Sequence, residues 1–368
     1  MVMGVGRPAP FSGFKNSGNR LRLRRILIPG SFKERQDIMS LQTAFSVLDL
    51  AMYPEGRTIA DAFQASRDLA QHAEKWGYER YWLAEHHNLE GIASSATAVL
   101  IGYIAAHTRT IRVGSGGIML PNHAPLMVAE QFGTLATIYP NRIDLGLGRA
   151  PGTDQATMRA LRKEAAAFPV DFAELIDELL FYFAPAQPGQ RIRAIPGAGI
   201  EIPLWLLGSS HYSARLAAQL GRPYAFAGHF APQEMHQAIR LYRAEFRPSR
   251  HLQEPKVMVG VAAVAAETDE HAEYLATSLY QRILTLIRGN LKPAPPPVRS
   301  MQGLWAPHEE QALKQMTSTM VVGSPTRVEA GLRKLIESTG ADELIITSDL
   351  YAHEDRLRSF EIMASLRR

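Results

Sequence analysis

The 368-residue chain contains no cysteine. Disulfides, iron–sulfur clusters, thiolate zinc sites and cysteine nucleophiles are therefore excluded, and a cytoplasmic location fits this composition. Long apolar runs are also missing. The longest, residues 257–266, falls well short of the roughly 20 residues needed to cross a bilayer. No apolar h-region of a secretory signal opens the chain, so no membrane partner is expected. The usual phosphate-binding loops are absent as well. Gly114-Ser115-Gly116-Gly117 would need glycine at 119 to complete a dinucleotide fingerprint, and Met119 stands there. Gly146-Leu147-Gly148 would need it at 151, where the residue is Pro151, and no Walker loop is present.

An excess of positive charge is missing outside the first residues. Positions 1–38 hold eight Lys or Arg against two acids, which leaves 32 against 34 for the remainder. The body is slightly acidic, and no nucleic-acid partner is expected. Residues 1–40 are rich in Gly, Pro, Ser and Arg without amphipathic spacing. They are expected to be a disordered basic tail or a mis-called start, with residues 41–368 forming one barrel domain.

From residue 44 onward, strand-like and helix-like patterns alternate. Eight apolar runs read as strands: 45–50, 80–85, 111–120, 143–147, 203–208, 223–227, 257–266 and 343–348. Most are continuous rather than alternating, as expected for strands covered on both faces. Helix patterns follow them over 58–76, 95–106, 125–138, 210–220, 232–246, 269–287, 325–338 and 355–367. The first opens on Thr58 and Asp61 as a cap pair and stops at Gly77. The fold class is α/β, a (β/α)8 TIM barrel, with insertions after strand 4 (150–202) and after strand and helix 7 (289–323). The first insertion carries an acidic helix over 171–183. The second contains Pro293-Ala294-Pro295-Pro296-Pro297 and reads as a mobile cover for the mouth.

Parallel barrels place their chemistry at the C-terminal strand ends. Three such ends stand out: Trp82-Leu83-Ala84-Glu85-His86-His87-Asn88, Val113-Gly114-Ser115-Gly116-Gly117, and Asp144-Leu145-Gly146-Leu147-Gly148-Arg149. Period two sends Glu85 and His87 to one side and His86 to the other. One imidazole can then face the mouth as a proton donor near neutral pH. The plainer alternative is a pair of histidines satisfied by backbone. Glycines within a strand mark a bulge or the close approach of something flat. Gly208-Ser209-Ser210-His211-Tyr212-Ser213 joins a strand to a helix, whose N-terminus offers free N–H donors to a phosphate. Ordinary N-capping by serine is the alternative there. A strand-end Arg149 is shaped to bind phosphate bidentately, so a phosphate shared between Arg149 and the Ser210 helix is expected. A metal centre using His123, His211 and His229 is the minority reading.

These segments, together with Leu120-Pro121 and Ala217-Ala218-Gln219-Leu220-Gly221, resemble the bacterial luciferase-like flavin-dependent monooxygenases, in the single-chain oxidoreductase branch. The resemblance spans nearly everything from Phe45 onward. It implies a TIM barrel that binds FMN at its C-terminal mouth, with His86 as the catalytic residue. It implies that Gly116 and Gly117, joined by a non-prolyl cis peptide, lie under the isoalloxazine. Arg149, Ser209, Ser210 and Ser213 hold the phosphate by the same carry-over. The implied reaction uses reduced FMN and O2 to oxygenate a small organic substrate through a C4a-peroxyflavin. A separate flavin reductase supplies the reduced FMN, and the chain forms a homodimer through helices 58–76 and 95–106. The sequence departs from the luciferases after His87, where Asn88-Leu89-Glu90-Gly91 lacks their aromatic, and the glycine pair replaces alanines. Aldehyde use and light emission are therefore not carried over. The alternatives are an F420-dependent hydride-transfer oxidoreductase, a non-catalytic flavin-binding barrel and a metal-dependent hydrolase.

Overall fold

The apolar runs become strands because helices cover their outer face while their inner face closes on itself. A computed structural model describes residues 41–150, 154–161 and 171–367. The expected tail over 1–40 lies outside the described residues. The strands are β1 (Ala44–Asp49), β2 (Arg80–Leu83), β3 (Arg112–Ser115), β4 (Ile118–Met119), β5 (Ile143–Gly148), β6 (Leu204–Gly208), β7 (Tyr224–Phe226), β8 (Val257–Ala265), β9 (Val321–Gly323) and β10 (Glu343–Thr347). Eight of them, β1-β2-β3-β5-β6-β7-β8-β10, pair in parallel around a closed ring. Closure comes from β10, whose Glu343 sits opposite Ala44 of β1 and Met258 of β8. This is the expected (β/α)8 barrel.

The helices are α1 (Ile59–Trp76), α2 (Thr97–His107), α3 (Pro125–Ile138), α4 (Gln155–Leu161), α5 (Phe172–Phe183), α6 (His211–Gln219), α7 (Met235–Glu245), α8 (Asp269–Ile287), α9 (Pro307–Met316), α10 (Pro325–Thr339) and α11 (His353–Ser365). Their ends follow capping chemistry. Thr58 and Asp61 form a reciprocal capping box before α1, and Gly77 closes that helix at φ 81°. Thr268 caps α8 and Asp171 caps α5. Among the described residues no helix is long and apolar enough to cross a membrane.

Alternation along each strand divides the interior in two. Tyr81 and Leu83 of β2 point outward into the large core between barrel and helices, while Trp82 points inward. The inner layer is small: Leu48, Trp82, Trp205, Met258 and Ile345 are its large members. Below it, at the N-terminal strand ends, the barrel is plugged by a buried ion network. Arg80 reaches Asp144 at 2.6 Å and Glu343 at 2.9 Å, and Arg112 also meets Asp144 at 2.6 Å. Trp82 Nε1 donates to the same Asp144 carboxylate at 3.1 Å.

Two readings of the sequence need correction. The run 111–120 is not one strand: it breaks between β3 and β4 at Gly116–Gly117 and ends in a 3-10 turn, Leu120–Asn122. The second insertion, read as a mobile cover, carries regular structure. It holds α9 and β9, and β9 extends the pairing of β8 beyond the ring, with Val321 opposite Ala263. Its proline stretch is tied to α8 by Ser278 Oγ donating to the Pro295 carbonyl at 2.6 Å.

Candidate active site

At the C-terminal strand ends the barrel opens into a cavity of about 420 Å³. Its walls are mainly apolar, from Leu48, Trp82, Leu207, Ala225 and Ile345 within the ring to Leu279 and Ile283 of α8. Its lip is apolar as well, formed by Phe230, Leu286 and Met316, all exposed. Size and lining match a pocket for an organic ligand.

His86 lines this cavity. Glu85, its neighbour, is fully buried and faces the other way. One Glu85 oxygen accepts from His87 Nε2 at 2.9 Å and from His123 Nε2 at 2.8 Å. The other accepts the Met119 N–H at 3.1 Å. Burial pushes the Glu85 pKa up, but the hydrogen bonds from His123 and His87 outweigh it and hold the carboxyl down at about 2. This clamp ties the end of β2 to β4, while the His86 N–H donates to the Ser94 carbonyl at 3.1 Å. Alternation thus divides the pair as the sequence suggests, with His86 toward the mouth and His87 toward the clamp.

Glu85, His87 and His123 place three ligand atoms within 4.8 Å of one another. Both imidazoles, however, spend Nε2 as a donor to a single carboxylate oxygen, which is hydrogen-bond geometry. His211 lies 3.0 Å from Glu234, and His229 packs on Gly260. The three histidines of the minority metal reading, His123, His211 and His229, therefore have separate partners.

The cavity floor is the Gly116–Gly117 peptide, which is cis. Neither glycine has room for a side chain. A Cβ on Gly116 would come within 2.7 Å of Leu48 Cδ1, and one on Gly117 within 2.7 Å of the Gly146 carbonyl oxygen. The missing side chains serve close packing of the barrel itself, and they leave bare backbone facing the opening.

Arg149 leaves the end of β5 at the cavity edge and is exposed. Its guanidinium stacks over the Tyr212 ring, with Cζ 4.5 Å from the centroid. Tyr212 is in the first turn of α6 and donates to Asp171 at 3.2 Å. Ser210, the N-cap of α6, makes no side-chain cap bond, so its hydroxyl does not take up the first-turn N–H groups there. Arg149, Ser209 and the start of α6 are thus brought together. Ser209 lines the cavity. Ser213 does not: it is buried, and its hydroxyl donates to the Ser210 carbonyl at 2.9 Å. A Cβ on Gly208 would overlap that hydroxyl, so Gly208 and Ser213 seat the helix on the strand.

Sequence reasoning missed Tyr212 as the platform for Arg149, although it lies inside the motif quoted for its serines. It singled out His229 as a metal ligand at the mouth, whereas the structure places it on the cavity wall. Burial pushes the His229 pKa down to about 4, opposed by the Gly260 backbone and aided by nearby His86. This imidazole is neutral at neutral pH.

The family model described as luciferase-like monooxygenase matches residues 43–343. The chain belongs to the luciferase-like monooxygenase family. It is 52% identical over 323 residues to a luciferase-like monooxygenase of Escherichia coli K12, covering 87% of this chain and 95% of that one. The crystal structure of apo-MsnO8 matches with a TM-score of 0.80 and 36% identity, over 88% of this chain and 98% of that chain. The oxygenating constituent of 3,6-diketocamphane monooxygenase from Pseudomonas putida, a type II Baeyer-Villiger enzyme solved with FMN, shares the fold. Its TM-score is 0.64 at 18% identity, over 88% of this chain and 96% of that one.

Proposed function

We propose that the protein is an FMN-dependent monooxygenase that oxygenates a small organic substrate in the barrel mouth. One arrangement carries this reading: an apolar, glycine-floored cavity with His86 on its wall and, at its edge, Arg149 stacked on Tyr212 beside a helix N-terminus whose N-cap serine makes no side-chain cap bond. The residues fit the cofactor. The bare Gly116–Gly117 backbone accepts a planar ring, and Arg149, Ser209, Ser210 and the first-turn N–H groups of α6 receive its phosphate. Ser213 supports that grip from behind by fixing the Ser210 carbonyl.

Reduced FMN, when bound, supplies the two electrons with which O2 gives one oxygen atom to substrate and one to water. The chain's residues do the rest. His86 donates a hydrogen bond or proton to the reacting oxygen. His229, kept neutral by burial, lies near it without adding charge. Apolar walls and the α8–α9 segment keep water out. A separate reductase delivers the reduced FMN. The chain pairs with a second copy through α1 and α2, where Ile59 and Val99 are 50% and 71% exposed.

The deciding experiment titrates FMN and F420 into the purified protein, then measures product formed per reduced FMN in air for the wild type and His86→Ala. FMN binding, with coupled product falling by about 10²–10⁴-fold in the variant, supports the assignment. Preference for F420, oxygen uptake no faster than with free reduced flavin, or an unchanged yield in His86→Ala would overturn it.

A further inference from the structure

The mouth contains a second charged spot, across the ring from Arg149. Arg149 and Ser209 follow the fourth and fifth barrel strands, β5 and β6. Arg282, on α8, follows the seventh, and Asp349 follows the eighth. Both line the same cavity. Arg282 is 9% exposed, and its Nε has no hydrogen-bond partner among the described residues. Asp349 is 8% exposed. One oxygen accepts from Thr347 Oγ1 at 2.8 Å, while Oδ1 accepts no hydrogen bond among the described residues. The cation nearest that oxygen, Arg356 Nη2 at 3.8 Å, is committed to Asp49 at 2.8 Å.

A buried N–H without an acceptor is costly, since its desolvation is not repaid by a hydrogen bond, and the Arg282 Nε–H is such a group. Burial opposes the charge on Arg282, and Asp349 offsets this only in part through space, since the two form no ion pair. One cavity is therefore lined by two side chains that each keep an unused polar atom, a donor on Arg282 and an acceptor on Asp349, flanked by Leu279, Ile283 and Leu286.

We propose that Arg282 and Asp349 form the head-group subsite for the organic substrate, which is an apolar carboxylic acid carrying an N–H or O–H beside its carboxylate. The carboxylate meets the guanidinium fork bidentately. The adjacent donor meets Asp349 Oδ1, which offsets the approach of two carboxylates. The apolar remainder runs along α8 toward the bare glycine floor. This subsite rests on the flavin reading only for the fate of the substrate; its binding chemistry stands by itself.

The test is equilibrium binding by calorimetry, with and without FMN, using N-acetyl-L-norleucine, its methyl ester and hexanoate as probes. The proteins are the wild type, Arg282→Met and Arg282→Lys. In the wild type the free acid should bind at least tenfold more tightly than the ester, and more tightly than hexanoate. In Arg282→Met the advantage over the ester should vanish while FMN affinity stays within twofold, and Arg282→Lys should keep part of it. Thermal unfolding of unliganded Arg282→Met should match or exceed the wild type, because a merely structural arginine would lower it. Equal binding of acid and ester, an advantage that survives in Arg282→Met, or loss of FMN instead of acid would overturn the subsite. If Arg282→Met does not fold, the wild-type comparison of acid with ester, together with Arg282→Lys, decides. Acid binding by a wild type that takes no FMN would sink the flavin assignment and leave this inference standing.

Discussion

The two ends of the barrel use charge in opposite ways. At the N-terminal end, Arg80, Arg112, Asp144 and Glu343 neutralise one another within 2.9 Å. At the C-terminal end, charged groups sit apart around an apolar cavity: Arg149 on a tyrosine face, Arg282 without a hydrogen-bond partner at Nε, and Glu85 turned away into its clamp. The first arrangement stabilises the ring. The second holds donors ready for something else, at the face where parallel barrels concentrate chemistry. An ion network closed on itself reports stability, whereas donors without acceptors in a lined cavity report binding.

The sharpest way to break this contrast is Asp144→Ala. Among the described residues, removing it leaves Arg80 hydrogen-bonded to Glu343 alone and Arg112 to backbone acceptors only, and breaking a buried ion network of this kind costs about 3–5 kcal/mol. Denaturant unfolding should show that loss, while FMN affinity of the molecules that remain folded should be unchanged. An equal loss of FMN affinity would mean that the two ends are not separable.

The Glu85 clamp comes next, because it is a buried charge at the functional end that serves structure. Its folded pKa of about 2 lies below the ordinary 4.5. The stabilisation is therefore fully present above about pH 4.5 and is lost as pH falls toward 2. Its size is about 3 kcal/mol from the linkage of pKa to stability. Unfolding free energy measured from pH 6 down to pH 2 should fall less steeply in Glu85→Gln than in the wild type. Identical slopes would remove Glu85 from the acid response.

Arg149→Ala probes the other regime. The side chain is exposed and stacks on Tyr212, so unfolding should change by less than about 0.5 kcal/mol. FMN affinity should drop by the worth of a charge-assisted contact, about 1.5–3 kcal/mol, read by fluorescence titration. Unchanged affinity would place the phosphate elsewhere. The last variant, Gly117→Ala, should act on both regimes at once. Its Cβ would meet the Gly146 carbonyl at 2.7 Å, and overpacking of this kind costs about 1–3 kcal/mol. Both unfolding and FMN titration should register it, since the floor belongs to the ring and to the cavity alike.

Most of the barrel was legible in the sequence because its strands are buried on both faces and its helices carry cap signals. Thr58, Asp61 and Gly77 announce α1, and Pro125 announces α3. The elements that escaped notice are those whose order comes from tertiary contact. The three residues of β9 are too few for a pattern and become a strand only by pairing with β8. The run 111–120 reads as continuous because composition does not encode the break at Gly116–Gly117. At the site, alternation places His86 correctly, and the strand-to-helix motif locates the start of α6. Arg282 was invisible: on paper it is one more cation on an amphipathic helix, and only the surrounding packing reveals that its Nε lacks a hydrogen-bond acceptor.

The pairing of β9 with β8 makes the segment between α8 and α10 a cassette. It leaves the ring and returns to it along the same strand, and its last turns contribute Met316, Thr319 and Met320 to the cavity roof. Neither Arg149 nor α6 belongs to it. Grafting this stretch from one relative into another should therefore exchange one wall of the cavity while leaving Arg149 and the start of α6 intact, so that under the proposed function preference for substrate can evolve independently of the hold on the cofactor.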